Sequence, residues 1–336
     1  MEALLLAADI GGTKTNAGFY SADESRRPII ERSYRNTDFD SPETLLRQLM
    51  EDTGHAAEIA CLAVAGAVRN GHCDMPNLGW RIDAPMLENA LGMRRVHLLN
   101  DLEATAHGIA TLQPNQLVTI QEGRADHDGN RALIAAGTGL GEALLIQTPY
   151  GMHVAASEGG HADFAPKDET QVALWRHLRD RYGHVSWERV VSGNGLKHIY
   201  DFLLHDMHLD EPPWLRARFA QGQDPAAIIT ESALGKTSDT AMQTLDIFMC
   251  AYGAAAGNLA LKTLATGGIY IGGGIAPKIL PAFFEGAFLR AFHDKGRYTP
   301  MMAGIPVHVI LEPKAALHGA AVYLDHLHER SMDYGA

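Results

Sequence analysis

The chain has 336 residues, of which 46% are apolar and 20% charged, with 40 acidic against 28 basic side chains and a formal net charge of −12. That length suits two cores of about 150 residues each, and no stretch is polar enough to stay disordered. An acidic field repels nucleic acid and anionic membranes, so both are excluded as general partners; a nucleotide would need local devices such as backbone amides, helix N-termini or Mg²⁺.

Leu4 to Ala8 is an apolar run that stops at Asp9 and reads as a buried strand, followed by a turn at Gly11 and Gly12 and a returning strand from Asn16 to Tyr20. A third strand is predicted near Ile29 to Tyr34, then a helix over Pro42 to Asp52 with Ser41 as N-cap and Pro42 at its first position. Ile59 to Val64 and Val96 to Leu99 read as further buried strands, the second running into a helix predicted from Asp101 to Thr111. After Gln113 and Pro114 the pattern restarts, with short strands at Leu117 to Ile120, Ala132 to Ala136, Glu142 to Gln147 and Met152 to Ala156, and helices from about Glu169 onward.

The hairpin around Gly137, Thr138, Gly139 and Gly141 repeats the logic of the hairpin around Asp9 to Thr13, a weak internal duplication. A long helix from Ser238 to Ala265, a strand at Ile269 to Ile271, a triple glycine and a helix after Pro277 complete the second half. Within the long helix Ile247 to Ala265 is the most membrane-like stretch, yet it carries Asn258 and Lys262 and reads as a buried helix, its Gly253 and Gly257 marking close helix packing. The helical tail from Ala315 to His328 is expected to dock on the first domain.

Cys61, Cys73 and Cys250 are an odd count without CxxC spacing, which suits a reducing compartment, and the N-terminus lacks the basic segment and apolar length of a signal sequence. His326 and His328 alternate on the C-terminal helix and read as surface residues, not as metal ligands.

Asp9-Ile10-Gly11-Gly12-Thr13 places a carboxylate at a strand end, two glycines that let backbone N–H groups approach an anion, and a hydroxyl; Asp9 is a candidate to hold Mg²⁺ through water. An ordinary hairpin turn remains the competing reading. Gly137-Thr138-Gly139-Leu140-Gly141 is a second such tip, and two tips facing each other would cradle a polyphosphate. No GxGxxG opens a helix and no GxxxxGK[ST] occurs, which disfavours the Rossmann and P-loop alternatives. Gly272-Gly273-Gly274-Ile275 follows a strand and precedes a helix, suiting either a flat purine or a tight turn.

Asn100-Asp101 stands where a strand meets a helix, so Asp101 is either a base for an attacking hydroxyl or an N-cap. Glu158-Gly159-Gly160-His161 combines acceptor, turn glycines and imidazole, the mixture that polyol hydroxyls need. Glu188 adds an acceptor or is simply a solvated helix residue.

The order of these motifs, with Leu99-Asn100-Asp101-Leu102-Glu103-Ala104 and Glu158 to Ala165, resembles the bacterial glucokinases of the hexokinase, Hsp70 and actin superfamily over nearly the whole chain. The resemblance implies an α/β, two-domain actin-like ATPase fold, ribonuclease H-like, with a cleft between domains: a smaller domain of residues 1–110 completed by a C-terminal helix over 314–336, and a larger one of 111–313. It implies phosphoryl transfer from MgATP to the 6-hydroxyl of glucose, with Asp101 as base and Asn77, Asn100, Asp101, Glu158, His161 and Glu188 around the sugar. Asp9, Gly11, Gly12, Thr13, Gly137, Thr138, Gly139, Gly273 and Gly274 would hold the nucleotide, and the enzyme would be a cytoplasmic homodimer. Lys14, Ala67, Pro76 and Ser157 depart from residues the family often carries there, namely asparagine, proline, threonine and glycine. Another hexose or amino sugar as substrate, or a sugar-sensing protein without turnover, are the alternatives; the absence of a cysteine-rich zinc signature disfavours a DNA-binding regulator.

Overall fold

Strands that are apolar on both sides need a cover on each face, and the helices between them supply it. The computed structural model describes residues 4–21 and 27–333, excepting the side chains of 328–333, so the side chain of His328 lies outside the described residues. In chain order the elements begin β1 (Leu4–Ile10), β2 (Lys14–Ser21), β3 (Pro28–Arg35), α1 (Pro42–Thr53), β4 (Ile59–Val64), β5 (His72–Met75), β6 (Trp80–Asp83), α2 (Ala84–Leu91), β7 (Arg95–Asn100) and α3 (Asp101–Gly108). They continue with β8 (Leu117–Gln121), β9 (Arg131–Ala136), β10 (Leu140–Thr148), β11 (Gly151–Ser157), α4 (Glu169–Tyr182), α5 (Gly193–His205), α6 (Pro213–Ala220), α7 (Pro225–Leu234), α8 (Asp239–Thr263), β12 (Gly268–Gly272), α9 (Leu280–Phe283), α10 (Ala287–His293), α11 (Thr299–Gly304), β13 (Val307–Ile310) and α12 (Ala315–Asp333). The chain divides into two units, Met1–Gln113 with Glu312–Ala336, and Pro114–Leu311.

In the first unit the sheet order is β3-β2-β1-β4-β7, with β1, β4 and β7 parallel and the β1-β2-β3 meander antiparallel. Alternation along β1 serves two cores: Leu6, Ala8 and Ile10 pack with Leu45, Leu46 and Leu49 of α1 and Leu87 of α2, while Leu5 and Ala7 pack with Ala104 of α3 and Leu317, Ala320 and Leu324 of α12. Ser41 caps α1, accepting the Thr44 N–H at 3.3 Å with Pro42 following. The helix predicted to run from Asp101 to Thr111 is α only to Gly108; Ile109–Thr111 tightens into a 3₁₀ turn ahead of the proline at 114, before which α geometry is disfavoured. The short β5–β6 hairpin carries too few residues to show a period, and the sequence reading contains no counterpart of it.

In the second unit the order is β11-β10-β9-β12-β13-β8. Strand for strand the first five repeat the order and directions of the first unit, so the duplication glimpsed in the two glycine hairpins extends to whole sheets. This is the duplicated α/β plan of the actin-like ATPase fold. Its core joins Ile134, Ile269, Val307 and Val309 of the sheet to α5, α7, α8 and α10. By length and hydropathy α8 would pass for a membrane span, but 72% of its most apolar window is buried, as in a core helix. Its GxxxG pair lies against α10: a Cβ on Gly253 would stand 2.1 Å from the Phe288 carbonyl oxygen, and one on Gly257 2.7 Å from that of Phe292.

Within the first unit Glu31 on β3 ties the sheet to α12 and the residue before it, accepting from Tyr20 Oη at 2.9 Å and pairing with Lys314 and His318. His318 lowers the Glu31 carboxyl most, burial opposes it, and Lys314 and Tyr20 lower it further, to about 2 from an ordinary 4.5. A depressed carboxyl contributes stability above its unfolded pKa and loses it as pH falls toward the folded one. Glu31→Gln is therefore expected to destabilise the protein near pH 7 by about 2 kcal/mol, a deficit that shrinks below pH ~4.5, measured by urea unfolding across that range.

Candidate active site

In the first unit the strand register brings the acidic residues to one end of the sheet. Parallel pairing aligns Asp9 with Ala63 and Val64 with Asn100, so β1, β4 and β7 finish together and deliver Asp9, Asn100 and then Asp101 at their C-terminal edge. Open α/β sheets bind ligands at such edges. Asn100 is the N-cap of α3: its Oδ1 accepts from Leu102 N at 2.9 Å and its Nδ2 donates to the Gly66 carbonyl at 3.1 Å. The capping role that the sequence left open for Asp101 thus falls to Asn100. Asp101 is instead the first helical residue, with Oδ1 accepting the same Leu102 N–H at 2.9 Å.

Burial raises the Asp101 carboxyl above the ordinary range, partly offset by hydrogen bonds from the Leu102 and Asp101 backbone and from Asn100. Burial and then the nearby Asp101 charge lift Asp9 to about 6, against opposing contributions from Asn16 and Lys14. Two desolvated carboxylates that repel each other gain from a divalent cation. Among the described residues no three His, Cys, Asp or Glu side chains group as a metal cage. The site therefore fits Mg²⁺ in its usual manner, with one or two carboxylates, waters and phosphate oxygens as ligands, rather than a metal held by protein alone.

The β1–β2 tip holds Gly11, Gly12 and Thr13, with Gly12 and Thr13 exposed. Asn36, fully buried, braces it: Nδ2 donates to the Gly11 carbonyl at 2.8 Å, its N–H to the Thr13 carbonyl at 3.0 Å, and its Oδ1 accepts from Thr15 Oγ1 at 2.7 Å. No motif around Asn36 announces this, because the brace exists only once β3 is in register. Asn77 is exposed in the turn between β5 and β6, where among the described residues its side chain forms no hydrogen bond.

In the second unit a cavity of about 480 Å³ is lined by Gly137 and Thr138 of the β9–β10 tip, by Gly274, Ile275 and Lys278 after β12, and by the first turns of α5 and α7. Gly193 N donates to the Gly137 carbonyl at 2.8 Å, so the N-terminus of α5 abuts the glycine tip, an arrangement suited to anionic oxygens. Gly137 and Gly274 have open space where a Cβ would project. Gly139 and Gly273 lie outside the lining and serve its frame. Gly273 adopts φ +84, and a Cβ there would stand 2.3 Å from the Ala136 carbonyl oxygen. Asn194, Lys197, Asp224 and Thr230 also line the cavity and were missed from sequence. The Ser192-Gly193 N-cap was the available signal for the first two, since Ser192 Oγ accepts from Gly195 N at 3.0 Å.

Glu158 and His161 stand side by side on a 3₁₀ turn, Oε2 to Nε2 3.9 Å, with side chains 75% and 60% exposed. The following residues pair with the chain around Ser186, Trp187 N donating to the Ala162 carbonyl at 2.9 Å, which brings Glu188 alongside. Glu188 is half-buried in a 3₁₀ turn, and its Oε2 accepts the Leu140 N–H at 3.0 Å. One of its oxygens thus anchors the glycine tip, and the solvated-helix reading of Glu188 is set aside. His326 is exposed, its ring 6.2 Å from that of His107.

A glucokinase family model matches residues 6–327. A glucokinase of Nostoc punctiforme is 40% identical over 334 residues, spanning 95% of this chain and 98% of that protein. The crystal structure of a glucokinase from an Antarctic psychrotroph superposes with a TM-score of 0.85 at 31% identity, over 97% of this chain and 100% of that one. A Balamuthia mandrillaris glucokinase, solved in complex with glucose, shares the fold with a TM-score of 0.79 at 21% identity, over 97% and 94% of the two chains. A family model that matches nearly the whole chain, with 40% identity to a relative over 95% of it, means that this chain belongs to the glucokinase family.

Proposed function

We infer that this member of the family transfers the γ-phosphoryl group of ATP to the 6-hydroxyl of glucose, yielding glucose 6-phosphate and ADP. The observation that carries the residue assignment is Asp101, a desolvated carboxylate fixed at the start of α3 by the Leu102 N–H on its Oδ1, at the C-terminal edge of the sheet. Asp101 orients that hydroxyl and takes its proton late, when bonding to phosphorus has made it acidic. Glu158, His161, Asn77, Asn100 and Glu188 are assigned to the sugar, with Asn100 and Glu188 each already holding a backbone group in place.

The triphosphate is assigned to the tips at Gly11–Thr13 and Gly137–Gly139, and the nucleoside to the cavity beside Gly273 and Gly274. Asp9 would hold Mg²⁺ through water; when bound, the ion neutralises charge on the phosphate oxygens. Three unpaired cysteines, two of them buried, suit a cytoplasmic protein, and family membership supports a homodimer, checked by light scattering.

The assignment is tested with a hexose panel under coupled ADP detection, with ATP and then polyphosphate as donor. Glucose with ATP is expected to give the highest kcat/KM, and ATP alone little hydrolysis, since positioning rather than a reactive group drives transfer. A higher kcat/KM on another hexose or an amino sugar, or binding without turnover, would replace this reading.

A further inference from the structure

Glu142 breaks the pattern of its strand. Leu140, Glu142 and Leu144 point to one face of β10; the two leucines join the core with Ile134, yet Glu142, facing Ile134 on β9 and Ser157 on β11, is a carboxylate only 6% exposed. Among the described residues it forms no hydrogen bond or ion pair; burial lifts its carboxyl above the ordinary range, with Lys262 opposing from a distance. A residue that violates the local rule without compensation within the fold points to a functional constraint.

What Glu142 touches is the turn carrying Glu158 and His161. A Cβ on Gly159 would stand 2.0 Å from Glu142 Oε2 and 2.8 Å from its Cδ, so the bare glycine backbone rests on the carboxylate head. The next residue, Gly160, rests in the same way on the Leu140 carbonyl oxygen, at 2.0 Å from its would-be Cβ. Beside it Ser157 Oγ accepts the Gly159 N–H at 3.0 Å and lies 3.1 Å from the same would-be Cβ of Gly159. The strand segment Leu140–Glu142 is therefore the floor of the turn, and its start is held by Glu188 through the Leu140 N–H.

We propose that Glu142 is a positioning residue for the sugar: the flat head of its side chain supports Gly159 and sets where Glu158 and His161 stand. An sp² head is thin enough to lie under glycine backbone where a branched aliphatic head is not, and glutamine shares that shape. The inference rests on the assignment of Glu158 and His161 to sugar hydroxyls, so its test includes a readout that needs no turnover.

Glu142→Ala is expected to raise the glucose KM about tenfold with the MgATP KM within about twofold, while Glu142→Gln stays within about threefold of the parent on both. Independently of activity, hydrogen exchange of the Gly159–Ala162 amides should quicken about tenfold in Glu142→Ala and not in Glu142→Gln. Unchanged exchange and an unchanged sugar KM in Glu142→Ala would overturn the proposal, as would equal losses for both substrates. Failure of Glu142→Gln alongside Glu142→Ala would also overturn it, assigning the effect to charge rather than shape. If the parent enzyme does not phosphorylate glucose but the exchange contrast holds, the sugar assignment falls and the support of the turn by Glu142 stands.

Discussion

Asp101→Asn is expected to lower kcat by about 10²- to 10⁴-fold, the range for loss of a general base, with the glucose KM changed less than about tenfold. The substitution suits the purpose because it leaves the local structure intact. Asn100 still caps α3, and the new side-chain oxygen still accepts the Leu102 N–H that Asp101 Oδ1 holds at 2.9 Å. Only the capacity to take a proton is lost. Retention of more than about a tenth of the parental kcat would remove Asp101 from the role of base.

Its raised carboxyl also fixes the sign of the acid limb. The basic form is lost as pH falls through the raised pKa, so kcat/KM should begin to drop above the ordinary carboxylate range near 3.9.

The second large effect concerns stability as well as turnover. Asp9 stands at about 6 in the fold against an ordinary 3.8, chiefly because it is buried and next because Asp101 is charged nearby. A carboxyl raised by folding costs nothing below its unfolded pKa and its full penalty above its folded one, so the ligand-free protein should lose stability between about pH 4 and pH 6. Asp9→Asn removes that penalty. The variant should be more stable than the parent at pH ~8, by about 2 to 3 kcal/mol, and equal to it at pH ~4, measured by urea unfolding without nucleotide.

The same change should cut MgATP-dependent turnover by at least about a hundredfold, because the carboxylate assigned to Mg²⁺ is gone. MgATP should protect the parent against unfolding more than it protects the variant. A variant no more stable than the parent at pH ~8 would show that the two carboxylates are not stressed as their burial indicates. The pair illustrates a common trade: charge kept at a working site at the expense of the empty fold.

Much of this was written in local chemistry. Short apolar runs bounded by turn residues placed β1, β2, β4, β9 and β10, because such a run needs only its own residues to be read. The Ser41-Pro42 start of α1 and both glycine tips were equally legible, since capping and turn geometry depend on a few consecutive residues. The acidic residues at strand ends and the Glu158–His161 turn followed from the same signals.

Tertiary structure decided which atoms those residues spend on the fold and which remain for a ligand. Asn36 bracing the first tip, Glu188 holding the Leu140 N–H, and the α5 and α7 residues of the cavity depend on pairings between segments far apart in the chain. Sequence left Asp101 between cap and base; the structure gave the cap to Asn100, because the strand ended one residue earlier than a capping aspartate requires. Local periods fix which face a residue shows, whereas its partner there is set by register and helix packing, which no short window of sequence contains.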